Sequence, residues 1–236
     1  MADRGDITTA TRRAVLLGLP LTLAACAPGS RFDQSRFTYG GSRERVRRPA
    51  TGTGVAPEYL SMYGELDDGR FVVDALDFND VDADYLRSVV SYSGPERPGT
   101  IVIDTSERYL YLVREDGSAI RYGVGVGRDG FRWKGRATIR RKAEWPTWTP
   151  PHEMTLRDAE AAKWAGGMPG GPENPLGARA MYLFQGDRDT MYRLHGNNDP
   201  SSIGHAVSSG CIRLLNHDII DLYRRVPVGT PVVVLG

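Results

Sequence analysis

Two residues able to move an acyl group and a proton lie near the C-terminal end of this sequence. They are His195, followed by Gly196, and Cys211, inside Ser208-Ser209-Gly210-Cys211-Ile212-Arg213-Leu214. The chemistry they suit is nucleophilic. A free thiol has a pKa of about 8.5, so only a few per cent is thiolate at neutral pH. A neighbouring imidazole can take the proton, stabilise the thiolate as an imidazolium, and return the proton to a leaving amine. Gly210 lets the backbone turn tightly before the cysteine, which makes the N–H groups of Gly210 and Cys211 candidate donors to an oxyanion. Taken alone, a cysteine and a histidine are weak evidence, because a lone cysteine is most often a buried structural residue.

The elements around the pair must bring them together. His195 closes a run of strand-forming residues sixteen positions before Cys211, and residues 197–204 read as a loop that returns the chain. Upstream, Thr100–Asp104 and Arg108–Arg114 read as strands, the second alternating around Tyr109, Tyr111 and Val113; Asp116-Gly117 is a hairpin signal, and Ile120–Val126 returns. Gly135–Lys142, Ala180–Gln185, Met191–Leu194 and Val232–Leu235 are further strands, the middle two separated by a turn at Gly186–Asp189. Thr155–Ala162 reads as one helix, and Asn216–Val226 as another with Asn216 as N-cap and Ile219, Ile220, Leu222 and Tyr223 inward. The 28 glycines and 15 prolines also favour a turn-rich β fold. The expectation is a mainly β sandwich or barrel-like domain over residues 99–236 with a few helices.

Before it, residues 56–98 read as an extension packing on that domain, with a short helix at Pro57–Tyr63, a strand at Arg70–Leu76 and a helix near Asp82–Ser91. Residues 26–55 have the composition of a flexible tether. Residues 1–25 read as an export signal: Arg12-Arg13 precede a short apolar run, in a layout similar to a twin-arginine signal. Leu23-Ala24-Ala25-Cys26 resembles the bacterial lipobox, which implies lipidation of Cys26, and Ala27 in place of Asp leans towards the outer membrane. Cys26 would then be unavailable for a disulfide, leaving Cys211 as the one free thiol. The 30 basic and 29 acidic residues give no global field for nucleic acid, and the basic run at 43–48 reads as a solvated linker.

The stretch from His195-Gly196 to Ser208-Ser209-Gly210-Cys211-Ile212-Arg213 resembles the active-site signature of the L,D-transpeptidase family, also called the YkuD or ErfK domain. Asn174-Pro175-Leu176-Gly177, Asn216 and Asp218 extend the resemblance, which covers about residues 98–236. It implies a cysteine acyl transfer on peptidoglycan. The cysteine attacks the carbonyl between the diamino acid at position three of a stem peptide and its terminal D-Ala, and an amine of another stem, or of a protein, takes the acyl group. By carry-over Cys211 is the nucleophile, His195 the general base and acid, and Gly196 the source of a carbonyl orienting the imidazole. Gly210 and Cys211 line the oxyanion hole, and Arg213 meets a stem carboxylate through its planar fork of donors. Ser209 departs from the signature, which usually has histidine there; His205 is the candidate substitute. No cofactor or metal is implied, and the periplasm is the expected compartment. Hydrolysis of the same acyl-enzyme, and a silent peptidoglycan-binding lipoprotein, are the rival readings.

Other candidates carry less. A zinc site of His195, His205 and Cys211 uses good ligands, but the family signature accounts for the same residues. His152 and His217 read as surface residues. Trp145, Trp148 and Trp164 are core or groove-wall residues. Gly123-Val124-Gly125-Val126-Gly127 lacks the following helix that a nucleotide-binding loop needs.

Overall fold

The centre of the molecule is a parallel pair of strands, β4 (Ile101–Asp104) and β13 (Pro231–Leu235), with Val232 to Leu235 opposite Ile101 to Asp104. Their near-continuous apolar runs are explained by burial on both faces. Ile101, Ile103, Val232 and Val234 point into the main core, while Val102, Val233 and Leu235 join Val113 in a second cluster on the opposite face. The computed structural model describes residues 55–127, 133–208 and 211–236. The export signal, Cys26 and most of the tether, together with Ser209 and Gly210, therefore lie outside the described residues.

The strands form one nine-stranded sheet in the order β12-β10-β9-β8-β13-β4-β5-β6-β3. Besides β4 and β13, these are β3 (Ser88–Ser91), β5 (Tyr109–Val113), β6 (Ser118–Gly123), β8 (Gly135–Glu144), β9 (Arg179–Gln185), β10 (Arg188–His195) and β12 (Ile212–Arg213). Asp116-Gly117 turns β5 into β6, with Gly117 at φ 75; a side chain there would be strained. Leu110 and Leu112 enter the main core, and Tyr111 between them packs against the cluster on the other face. The sheet curls toward closure: Gly125, two residues past β6, exchanges both backbone hydrogen bonds with Arg213 of β12 at 3.0 and 2.9 Å. Beside this seam β7 (Val126–Gly127) pairs in parallel with β11 (Ala206–Ser208). The mainly β, barrel-like expectation is met.

Helix α4 (Asn216–Arg225) lays Ile219 and Leu222 on the main core, followed by Val226. Asn216 does not cap it; Leu215 is the N-cap residue, and the Asn216 side chain instead accepts the Ala178 amide at 2.9 Å. Tyr223 is only partly buried. The single helix expected at 155–162 is split into α2 (His152–Arg157) and α3 (Ala159–Ala162) by Asp158, whose carboxylate accepts the amides of Glu160 and Ala161 and starts a new helix.

In the N-terminal segment α1 (Pro57–Met62) forms as expected, and a two-residue ladder of β1 (Leu66–Asp67) and β2 (Val72–Val73) replaces the longer strand at 70–76. The helix expected near 82–91 is absent. Ala83–Tyr85 forms one 3₁₀ turn, and Ser88–Ser91 pairs with Arg121–Ser118 of β6. Val89 and Val90 have the branched side chains that suit a strand, and an open sheet edge was available to them. His217 is buried, not on the surface: its Nε2 donates to the Gly64 carbonyl at 2.7 Å, and Tyr63 packs edge-on against its ring.

Candidate active site

Strand register assembles the site. β10 pairs in parallel with β12, Leu194 opposite Ile212 and His195 opposite Arg213. Leu194 and Ile212 are both fully buried in the main core, so His195 and Arg213 share the other face of the sheet. Two residues earlier, Arg193 on β10 and Cys211, which immediately precedes β12, return to that face by strand alternation. A hydrogen bond between the Arg193 backbone and the Cys211 thiol fits this continuation of the register. Strand alternation thus groups Arg193, His195, Cys211 and Arg213 on one face where β10 and β12 meet.

His195 is 4% exposed, and its Nδ1 lies 2.5 Å from the Gly196 carbonyl oxygen. A carbonyl can only accept, so Nδ1 carries the proton and Nε2 keeps the lone pair of the neutral ring. Burial pushes the imidazole down to about 4; the Gly196 hydrogen bond opposes this, and the charges of Arg213 and Arg193 add to it. Burial also pushes the Cys211 thiol up, while Arg193, through its charge and its backbone hydrogen bond, and Arg213 pull it back. Burial thus favours the neutral form of both groups, the imidazole and the thiol.

Gly196 is held where no side chain fits. A Cβ there would collide with Asn216 Oδ1 and stand 3.0 Å from the Ala178 nitrogen. Gly177, at φ 60, closes on the same point from the Asn174-Pro175-Leu176-Gly177 turn, and a Cβ there would meet Asn216, Asn197 and Gly196. Asn174 is fully buried: its Nδ2 donates to the carbonyls of Pro146, Met168 and Pro169, and its Oδ1 accepts the Leu176 amide. These asparagines pin the turn, the end of β10 and the start of α4 against one another. In the return loop Asn197 donates to the Asp199 carbonyl and to Ser202 Oγ.

The remaining candidates are distributed as follows. His205 is exposed, and its carbonyl accepts the Val126 amide at 3.0 Å. Trp145 is a core residue whose Nε1 donates to Asp68, and Trp164 is 38% exposed. Among the described residues no group of three or more His, Cys, Asp or Glu side chains could hold a metal ion, and no helix is long and apolar enough to cross a membrane. Sequence reasoning passed over Arg193; the signal available was its position two residues before His195, which puts it on the same face of a strand.

With this geometry in hand, comparison with known proteins decides the family. The model of the L,D-transpeptidase catalytic domain, YkuD, matches residues 98–234.

The chain belongs to the L,D-transpeptidase family.

A probable L,D-transpeptidase ErfK/SrfK of Escherichia coli K12 is 36% identical over 141 residues, 57% of this chain and 43% of that protein. This L,D-transpeptidase family member thus spans under half the length of that relative. A putative L,D-transpeptidase from the ATP synthase subunits region of Fuscovulum blasticum is 38% identical over 139 residues, 57% of this chain and 68% of that protein. A Brucella melitensis crystal structure, titled a probable carnitine operon oxidoreductase, is 51% identical over 66% of this chain and 96% of its own, with a TM-score of 0.46.

Proposed function

We propose that this chain is a peptidoglycan L,D-transpeptidase working by cysteine acyl transfer. The observation that carries the reading is His195, held through Nδ1 on the Gly196 carbonyl and set by strand register opposite Arg213, two residues past Cys211. Nε2 of His195 takes the Cys211 proton as the sulfur attacks the carbonyl between the diamino acid and the terminal D-Ala of a tetrapeptide stem. The carbonyl electron pair moves onto oxygen, facing the N–H groups of Gly210 and Cys211. That pair returns, the C–N bond breaks, and the imidazolium gives its proton to the departing D-Ala amine. An acceptor amine, from another stem or from a protein, then attacks the thioester, passes a proton to His195, and restores the thiol. Arg213, on the same face, receives a stem carboxylate. Ser209 stands where the family usually has histidine, and His195 alone manages the proton.

Incubating the protein with tetrapeptide muropeptides and analysing the products by mass spectrometry tests this. Cross-linked dimers with released D-Ala support transfer, and tripeptides alone mean hydrolysis. No change with either wild type or Cys211→Ala contradicts both.

We also propose export to the periplasm and attachment to the outer membrane through lipid on Cys26. Incorporation of labelled fatty acid that is lost in Cys26→Ala would support this; equal labelling of both would contradict it.

A further inference from the structure

The face that carries Cys211 also carries a row of side chains running away from it across three more strands. Arg193 of β10 stands opposite Tyr182 of β9, and Tyr182 stands opposite Arg141 of β8. Both guanidinium groups lie over the Tyr182 ring, that of Arg193 4.6 Å from its centroid and that of Arg141 4.5 Å away. Each contact is a cation–π pair, but two cations on one ring repel unless an anion balances them. Asp189 supplies one: both its oxygens accept from Arg193, at 2.8 and 2.9 Å. Burial alone would push the Asp189 carboxyl up. The Arg193 hydrogen bonds, the Met191 amide and the charges of Arg193 and Arg141 bring it below the ordinary value.

Two irregularities in the sheet create this row. Between Ile139 and Arg141, β8 carries one residue more than β9. Without it, Arg140 would face Tyr182 and Arg141 would turn to the core side opposite Met181. On β10 the register shifts between Asp189 and Arg193, and the intervening Met191 sits at φ 64 with 73% of its surface exposed. A bulge gives up ladder hydrogen bonds, and a non-glycine residue at positive φ is strained, so both persist where a side chain must be re-aimed. Here they flank the same tyrosine and aim two arginines onto it, in line with the thiol.

We propose that Arg141, Tyr182 and Arg193 form a carboxylate-reading subsite for the acyl donor, and that Asp189 is an internal carboxylate holding Arg193 until the donor arrives. The proposal rests on the acyl-transfer reading above. Strands lie about 4.8 Å apart, so Arg193 is about 5 Å and Arg141 about 14 Å from the Cys211 strand, less the reach of their side chains. A carboxylate on the residue whose carbonyl is attacked, or on the residue before it, falls in that interval. A planar guanidinium fork reads a carboxylate and loses most of that contact when the group is amidated.

The test uses the full chain and two muropeptide donors, one with its stem carboxylates free and one with them amidated, following D-Ala release. Wild type should show a KM about tenfold lower for the free-acid donor. Arg141→Gln should raise KM for that donor about five- to tenfold and erase the preference, with the loss in KM rather than kcat. Arg141→Lys, which keeps charge without the fork, should restore part of it. Arg141 is exposed, so a melting curve matching wild type is expected for both variants. A wild type indifferent to amidation, or an Arg141→Gln variant that keeps the preference, would overturn the subsite while leaving acyl transfer intact. No D-Ala release by wild type from either donor would overturn acyl transfer itself, and the subsite with it.

Discussion

The Tyr63 hydroxyl donates to the Asp218 carboxylate, 3.0 Å from Oδ1 and 3.2 Å from Oδ2, across 155 positions of sequence. The Arg87 amide donates to the same hydroxyl at 2.6 Å, and the Arg87 guanidinium pairs with Asp221 at 2.9 Å. Residues 57–91 are thereby bound to α4, the helix that begins beside the Gly196 turn. Burial raises the tyrosine, and the Asp218 charge raises it further, so it remains a neutral donor at any ordinary pH. Replacing Tyr63 by Phe leaves a fully buried carboxylate short of its donor. The expected loss is about 1–3 kcal/mol of unfolding free energy, read from urea denaturation, with D-Ala release per folded molecule changed less than twofold. An unchanged midpoint would mean that the segment is not bound in this way.

Asp218 itself makes stability depend on pH. Burial lifts its carboxyl to about 7 from 3.8, against the lowering effects of Arg87 and the Tyr63 hydrogen bond. The folded state keeps a proton that the unfolded state releases, so this group's contribution is fully present below 3.8 and is lost as pH rises towards 7. Asp218→Asn should remove that slope. Urea midpoints of variant and wild type, taken from pH 4 to 8, should move apart steadily up to about pH 7 and run parallel above it. A constant separation throughout would refute the raised value.

His195 titrates in the opposite sense. Its folded value is pushed down to about 4, so the imidazole stays neutral, and able to accept the thiol proton, well below its ordinary 6.5. The acid limb of kcat/KM for D-Ala release, which reports the free enzyme, should fall below pH 6.5. His195→Gln should lower kcat by about 10²–10⁴-fold and abolish the limb. A limb at or above 6.5 that survives the substitution would assign the base elsewhere.

Gly177→Ala tests the close packing behind the histidine. The position has φ 60, and a Cβ would meet Asn216, Asn197 and Gly196 together. Backbone strain and the displaced Asn216 side chain should cost about 2–4 kcal/mol. Activity should fall as well, because Gly196 sets the imidazole orientation. A fully stable and active variant would show that the turn has room.

Much of this was legible in the sequence because the relevant signals are local. Alternation around Tyr109 and Tyr111, the Asp116-Gly117 turn, and Ile219 and Leu222 at helical spacing gave β5, β6 and α4 with small boundary errors. Cys211 and His195 stand out by residue type and by resemblance to the signature, and the strand register places His195 opposite Arg213, two residues past Cys211. What escaped depends on partners distant in the chain. Val89 and Val90 fit a helical spacing until β6 offers an edge. His217 seemed an exposed first-turn residue, because nothing nearby announces that Tyr63 and Gly64 cover it. The Arg141–Tyr182–Arg193 row depends on two irregularities: the one-residue bulge of β8 reverses which residues share a face, and the two-residue shift of β10 changes which residue stands opposite Tyr182, neither leaving a mark in the hydrophobic pattern.

The central claim is that Cys211 carries the acyl group, and the intact mass of the protein tests it most directly. Mixed with a tetrapeptide muropeptide and quenched in acid within a turnover, the wild type should gain the mass of the donor less D-Ala, as a thioester released by hydroxylamine. The adduct should map to the peptide containing Cys211 and be absent from Cys211→Ala. An adduct of equal yield on Cys211→Ala, or cross-linked product formed at the wild-type rate by that variant, would contradict the account.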